Sequence, residues 1–475
     1  MNTEAICPAL LIAAPASGQG KTTVVAALAR LLARGGARVR VFKCGPDFLD
    51  PFWHQLVSGA PVHNLDLWMT GEADMRARLH AAAREADVVL IEGVMGLHDG
   101  TPSAADLARL LGVPVLAVVQ TGSMAQTLGA VAHGLRHYKE HSRGPLPWAG
   151  VLANGVASAG HARLLQGALE SPGEWLGHLP KSDAMRLPER HLGLVAAHEL
   201  GQAEALARLD AAADLLADTP LGRMPLAEWR ARWAVPFDAP EAVPVPPLLA
   251  GRTVAVARDA AFAFIYAANI ECLHALGARV VFFSPLAGDA LPACDAVWLP
   301  GGYPELHAAA LSGCSELKSG LRRHAEGKKP IWAECGGMMA LFDELVTADG
   351  TAHVLWGLLP GRVTMQKKLA GLGMQAWSDA AAALGVSLAP SPSGGGSGWG
   401  PPTLDEPSAP LRGHTFHYSS CQTPLPAVAH TTPAPGSVRP SGEAVHAQGS
   451  VRASYFHAWF ASSPLATAAL FSRAS

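Results

Sequence analysis

The chain begins with a short apolar run, Ala9 to Ala14, followed after a glycine-containing polar turn by a helical pattern from Val24 to Arg34. Similar apolar runs recur at Ala37–Lys43, Asp87–Glu92, Val113–Val119 and Ala149–Ala153, with helix-like stretches between them. A strand with one wet face alternates apolar and polar residues. Near-continuous apolar runs instead fit strands covered on both faces. The pattern predicts an α/β domain built on a parallel sheet, in which ligands sit beyond the carboxyl ends of the strands. Gly18, Asp47, Asp50, Glu92 and Asp99 all fall at such ends.

The stretch Ala234 to Pro247 is proline-rich and unpatterned, and reads as an interdomain linker. A new alternation starts at Thr253–Ala257, followed by a helical signal over Phe262–Leu276 and strand signals at Arg279–Phe283 and Ala296–Leu299. The expected organisation is therefore one α/β domain over 1–233, a linker over 234–250 and a second α/β domain over 251–475. Between 389 and 410 a Ser/Gly/Pro-rich segment, including Ser393-Gly-Gly-Gly-Ser397, reads as a surface insertion. No internal repeat stands out.

Composition narrows the function classes. A chain of 475 residues is too long for one ordinary core, and 49% hydrophobic with 16% charged residues suits large interiors. The net charge of −3 argues against nucleic acid or an acidic membrane surface as partner. Seven cysteines without a C-x-x-C pair point to neither a zinc site nor a disulfide framework. No apolar run is long enough to span a bilayer, and the first apolar run is not preceded by a basic segment, so a cytoplasmic protein is expected.

Three constellations carry chemistry. The first is Ala13-Ala-Pro-Ala-Ser-Gly-Gln-Gly-Lys-Thr-Thr23, a strand, glycine loop and helix that read as a phosphate-binding P-loop. Backbone N–H groups around Ser17, Gly18, Gln19 and Gly20 can turn toward a phosphate, Lys21 reaches its outer oxygens, and Thr22 and Thr23 begin the helix. Pro15 stands where the usual pattern has its first glycine. Thr22, Glu92 and Asp47 offer hard oxygens for Mg²⁺ beside ATP. Asp47 and Asp50 could also position the nucleophile, or serve only the turn chemistry of Gly45-Pro46-Asp47. Asn154, at the end of another apolar run, could read the adenine edge or be a turn residue. His54 and His98 read equally as helix-end or core residues.

The second is Pro330-Ile-Trp-Ala-Glu-Cys-Gly-Gly-Met-Met339, an apolar strand that stops at Cys335 before Gly336-Gly337 opens a helix expected to end near Leu345. A nucleophile at such a turn is exposed, and the helix N-terminus should lower the thiol pKa. The N–H of Gly336 is placed for an oxyanion, and the turn at Gly301-Gly302 could supply a second donor from Gly302. His457 follows a strand-like run and is a candidate base for Cys335. The third is Leu411-Arg-Gly-His-Thr-Phe-His-Tyr418, where a strand would turn His414 and His417 to opposite faces, favouring a structural role over metal ligation.

Together Ala14–Thr23, Gly45-Pro-Asp-Phe-Leu-Asp-Pro51, Glu92-Gly-Val-Met-Gly-Leu-His-Asp99, Leu299-Pro-Gly-Gly-Tyr-Pro-Glu305, Ala333-Glu-Cys-Gly-Gly337 and Gly413-His-Thr-Phe-His-Tyr418 closely resemble the cobyrinic/hydrogenobyrinic acid a,c-diamide synthases of cobalamin biosynthesis. The first half resembles dethiobiotin-synthetase-type ATPases and the second a class I glutamine amidotransferase. The resemblance implies that Cys335, with His457, releases ammonia from glutamine. ATP with Mg²⁺ would convert corrin acetate carboxylates to acyl phosphates at a site including Asp47, Asp50 and Asp99, and ammonia would displace the phosphate. Small-molecule substrates are thus the implied partners, and a homodimer stays open. Two departures stand out: Trp459 occupies the position where class I amidotransferases usually carry a Glu after the histidine, and Ala333 replaces the first elbow glycine.

Two rivals remain. Cobyric acid synthase is a related amidase for other corrin carboxylates, but the Asp47/Asp50 loop and the Glu334-Cys335-Gly-Gly elbow favour the a,c enzyme. A partitioning-type regulatory ATPase would carry a second lysine where this chain has Ala16, and has no use for a thiol elbow.

Overall fold

The structure is a computed structural model that describes residues 4–190, 193–194, 201–239, 244–378, 380, 409–437 and 441–473. It divides into two compact units, Met1–Leu67 with Glu72–Glu241, and Trp68–Gly71 with Ala242–Ser475.

In the first unit the apolar runs become parallel strands: β1 (Ala5–Ala13), β2 (Val39–Cys44), β3 (His63–Leu65), β4 (Val88–Glu92), β5 (Val115–Gln120), β6 (Trp148–Val156) and β7 (Trp175–Pro180). Their order is β3-β2-β4-β1-β5-β6-β7. Along β1, Leu10 and Ile12 enter one hydrophobic layer while Ala9, Leu11 and Ala13 enter the other. That two-sided burial explains why the run shows no alternation. The chain places β2 and β3 on one side of β1, returns with β4 to lie beside β1, and then crosses to β5 on the other side. The loop after β1 therefore lies at the switch point where such sheets hold ligands.

One expectation is corrected here. Ala234–Phe237, read as the start of the linker, is a strand antiparallel to β1, with Ala5 opposite Phe237 and Pro8 opposite Ala234. Val235 and Phe237 are buried while Ala234 and Pro236 are exposed, a period of two that the intervening proline disguised. The first unit thus runs past 233 and the linker is shorter than 234–250.

In the second unit Thr253–Ala257, Arg279–Phe283, Ala296–Leu299, Ile331–Glu334 and Val451–Ser454 form a parallel set, extended by the antiparallel strands Ala444–Gln448 and Ala427–His430. Val254, Val256 and Trp298 face one layer, Ala255, Ala257 and Leu299 the other. The helical signal over Phe262–Leu276 is realised only as Ala267–Ala275. The helix after Cys335 stops at Leu341 rather than near Leu345. Phe342–Val346 is instead a strand, whose buried Phe342 and Leu345 pack into the core while Asp343 is exposed. Positions 389–408 of the expected insertion lie outside the described residues. Among the described residues, no helix is long and apolar enough to cross a membrane.

Candidate active sites

The first helix, Lys21–Arg34, starts immediately after the glycine loop, where Gly18 (φ 75°) and Gly20 (φ 90°) adopt left-handed conformations that a side chain would strain. Ser17 and Gly18 are exposed, whereas Lys21 and Thr23 are buried. Lys21 Nζ donates to the carbonyls of Met95 (2.6 Å) and Ala16 (3.3 Å), so it spans the loop from within. Burial, reinforced by the nearby charge of Lys43, lowers the Lys21 ammonium pKa. Gln19 is held from two strands: its side-chain oxygen accepts from Gln120 N (2.8 Å), and its carbonyl accepts from Asn154 Nδ2 (3.0 Å). A Cβ at Gly20 would stand 2.6 Å from that Asn154 nitrogen. The Asn154 amide therefore supports the loop backbone.

Behind the loop is a compact charged cluster. Parallel pairing sets Lys43 of β2 in register with Glu92 of β4, and Ile12 of β1 with the same Glu92. Glu92 Oε1 accepts from the Thr22 hydroxyl at 2.7 Å and lies 3.2 Å from Lys43 Nζ, while its Oε2 meets His54 Nε2 at 2.5 Å. Lys43 Nζ also reaches Asp50 Oδ2 at 2.7 Å. Asp50 and His54 come from the helix Leu49–Ser58, one turn apart on its buried face. Asp47 Oδ1 accepts from Leu49 N (2.8 Å) just before that helix, and Asn64 Nδ2 ties down the carbonyls of Gly45 and Asp47.

Burial works against every charge in this cluster, and pairing decides the outcome. For Lys43 burial is outweighed by Asp50 and Glu92, which hold its pKa up; for Asp50 it is outweighed by Lys43, which holds the carboxyl below the usual range. Asp47 is pushed well up, by burial first and then by the negative charge of Asp50. Asp99 is exposed and accepts from Gly96 N (2.8 Å), and a Cβ on Gly96 would strike both Asp99 Oδ2 and the Pro15 carbonyl at 2.6 Å. His98 contacts the Leu135 carbonyl (2.8 Å), away from the charged cluster.

In the second unit Cys335 lies between the strand Ile331–Glu334 and the helix Gly336–Leu341, at φ 44° and ψ −104°. Such a conformation costs a non-glycine residue on the order of 1–3 kcal/mol and marks a strained nucleophile turn. Cys335 N donates to Ser454 O (2.7 Å), which fixes the elbow on the neighbouring strand. The turn Gly301-Gly302 lies against it, since a Cβ on Gly336 would come within 2.9 Å of Gly302 N and O. A Cβ on Gly301 would stand 2.2 Å from His457 Cε1. The missing side chains at Gly301 and Gly336 thus let the cysteine elbow, the glycine turn and the histidine ring converge.

The thiol expectation needs correction. Burial pushes Cys335 up, Glu305 and Glu443 add to the shift, and the Gly336 N–H works in the opposite direction without prevailing. His457 is fully enclosed, and burial, then the neighbouring His414 and His417, hold its pKa well below the usual imidazole value. Burial thus favours the uncharged form of both the thiol and the imidazole. Glu334 accepts from the Trp332 indole (2.8 Å) and from Ala458 N (3.3 Å), the residue after His457, and burial pushes its carboxyl up to about 8.

The strand Leu411–His417 turns its two histidines apart, as strand geometry requires. His414 stacks on His457, with ring centroids 4.9 Å apart and planes 15° apart. His417 stacks on Tyr455 at 3.7 Å and pairs with Glu443 at 3.1 Å. Sequence reading passed over Lys43 altogether and gave no weight to His54. The available signal was a lysine at the carboxyl end of an otherwise apolar strand that must be covered on both faces, where a charge needs partners.

Comparison with known proteins adds to this geometry. Residues 10–195 match the profile of the CobQ/CobB/MinD/ParA nucleotide binding domain, and residues 253–465 that of the CobB/CobQ-like glutamine amidotransferase domain. A hydrogenobyrinate a,c-diamide synthase of Stutzerimonas stutzeri is 51% identical, over 98% of this chain and 99% of its own. One of Pseudomonas aeruginosa is 49% identical, over 99% of each chain. A cobyrinate a,c-diamide synthase of Herminiimonas arsenicoxydans is 48% identical, over 98% of this chain and 96% of its own.

Proposed function

We infer the reaction from one premise: the chain belongs to the hydrogenobyrinate/cobyrinate a,c-diamide synthase family. It is an ATP- and glutamine-dependent carbon–nitrogen ligase that converts corrinoid carboxylates to amides. Within that activity we assign the roles of this chain's residues.

A carboxylate is a poor electrophile, so one oxygen of a corrin acetate first attacks the γ-phosphorus of ATP and ADP departs. Ammonia then adds to the acyl carbon and phosphate leaves. In our reading the N–H groups of Ser17 to Gly20 and the ammonium of Lys21 hold the phosphates. Asn154 keeps the loop in shape from behind through its bond to the Gln19 carbonyl. Asp47, Asp50 and Asp99 face the acid to be activated. Lys43 keeps Asp50 ionised through the 2.7 Å ion pair, with Asp47 beside it in the same loop.

The donor set fits Mg²⁺: a hydroxyl and a carboxylate already converge in the 2.7 Å contact of Thr22 with Glu92, and Asp47 is the third candidate ligand. The ion would neutralise phosphate charge.

At the other centre Cys335 Sγ gives its proton to His457 and attacks the glutamine amide carbon, with the N–H groups of Gly302 and Gly336 receiving the oxyanion. His457 returns the proton to the departing ammonia, and water then releases glutamate. The observation that carries this reading is the convergence of strained Cys335, the Gly301-Gly302 turn and His457 in a chain that also holds the Lys21–Thr22–Glu92 cluster. The test is incubation with ATP, Mg²⁺ and glutamine on hydrogenobyrinic and cobyrinic acid separately, counting amides by mass spectrometry. Two amides on either corrinoid support it, and none on both rejects it.

A further inference from the structure

Two residues downstream of His457 stands Trp459, in a T-shaped contact with Tyr266 at 5.0 Å. The His457 ring itself is met from the neighbouring strand. Gly413 and His414 pair with Ala458 and His457 in an antiparallel ladder, so His414 and His457 are directly opposed. Opposed residues project from the same face of such a pair. Here they place two imidazoles in parallel at 4.9 Å. His414 is anchored from its far side, where Nδ1 lies 3.1 Å from the Tyr266 hydroxyl. The His457 ring is further confined by the Gly301 backbone and by Phe264, whose ring centroid is 6.2 Å away.

We propose that His414 is a positioning residue for the glutamine-hydrolysing step, fixing the plane of the His457 ring by stacking. The inference rests on the reading of Cys335 and His457 as the thiol and its base. Burial pushes His414 down to about 3, so it offers a neutral ring face rather than a competing positive charge. The orientation comes from backbone register and a tyrosine anchor.

The test uses the full chain with His414→Ala, His414→Phe and, as a reference, Cys335→Ser. Glutamine hydrolysis gives kcat and KM, and amidation driven by added ammonia serves as the folding control. His414→Ala should lower the glutaminase kcat about 100-fold with KM nearly unchanged, the scale of loss expected when a reacting group is misplaced by about 1 Å. His414→Phe restores a ring face and should recover kcat to within about tenfold of the parent. A parental kcat in His414→Ala, a loss carried by KM alone, or a His414→Phe variant as impaired as the alanine would each overturn the proposal. If the alanine variant fails the folding control, the phenylalanine variant decides by the same threshold. Glutamine hydrolysis that survives Cys335→Ser would instead reject the underlying assignment of the thiol.

Discussion

Lys43 and Glu92 stand opposite each other on neighbouring parallel strands, with the ammonium 3.2 Å from the carboxylate while it grips Asp50 at 2.7 Å. A buried lysine serving two carboxylates is a fixed point of the first site. Its removal should be costly, because it leaves buried acids without their counter-charge. Lys43→Met, which keeps the stem, should destabilise the protein by about 3–5 kcal/mol in denaturant unfolding and abolish amidation. An unfolding midpoint equal to that of the parent would show that the cluster is not held this way.

The two centres should fail independently. Cys335→Ala should eliminate glutamine-dependent amidation while ammonia still supports turnover. Asp47→Asn should do the reverse, lowering amidation from either nitrogen source by roughly 100-fold while glutamine hydrolysis persists. Equal loss of both nitrogen sources in Cys335→Ala would contradict this division, and unchanged amidation in Asp47→Asn would remove that residue from the site.

Gly301 offers a steric test. An alanine methyl there would fall 2.2 Å from His457 Cε1, so the ring or the turn must move. Gly301→Ala should reduce glutaminase kcat by about 100-fold through displacement of the base, with ammonia-driven amidation intact. A fully active variant would mean that the turn has room this geometry denies.

Glu334 makes stability depend on pH. The unfolded chain loses this proton near its ordinary value of 4.5, the folded chain only near about 8. Between those values the unfolded state holds fewer protons, so raising the pH favours unfolding. The penalty is absent at low pH, grows across this window and is complete above it, reaching on the order of a few kcal/mol. Glu334→Gln cannot ionise and should gain stability relative to the parent as pH rises from about 5 to about 8.5, read from paired thermal melts. A difference that stays flat or shrinks with pH would show that Glu334 is ionised in the fold.

What the sequence revealed and concealed follows from how far each signal reaches. The P-loop and the cysteine elbow are local patterns, in which glycine placement and a strand-to-helix switch occupy a few consecutive residues. The location of Glu92 at a strand end and of Asp47 in the loop after one follows from the succession of apolar runs and the parallel-sheet rule, whereas Asp50 lies in the helix that follows. Lys43 with Glu92, and His414 with His457, become neighbours only through strand register, which no single stretch encodes. Local rules also misled where two of them competed. Pro236 masked the alternation of Val235 and Phe237, and the glycines after Cys335 suggested a longer helix than the buried pair Phe342 and Leu345 permits. For the Cys335 thiol, the helix-terminus argument was overruled by burial, a quantity set by tertiary packing.

The strand Ala234–Phe237 has a practical bearing on anyone who wishes to produce the nucleotide-binding half by itself. A chain cut after Trp233 would strip the cover from the backbone of Ala5 to Pro8, where Ile6 is already 65% solvent-accessible. A bare margin of that kind recruits a second copy and precipitates. Extending the fragment through Phe237 keeps its own tail as the seal.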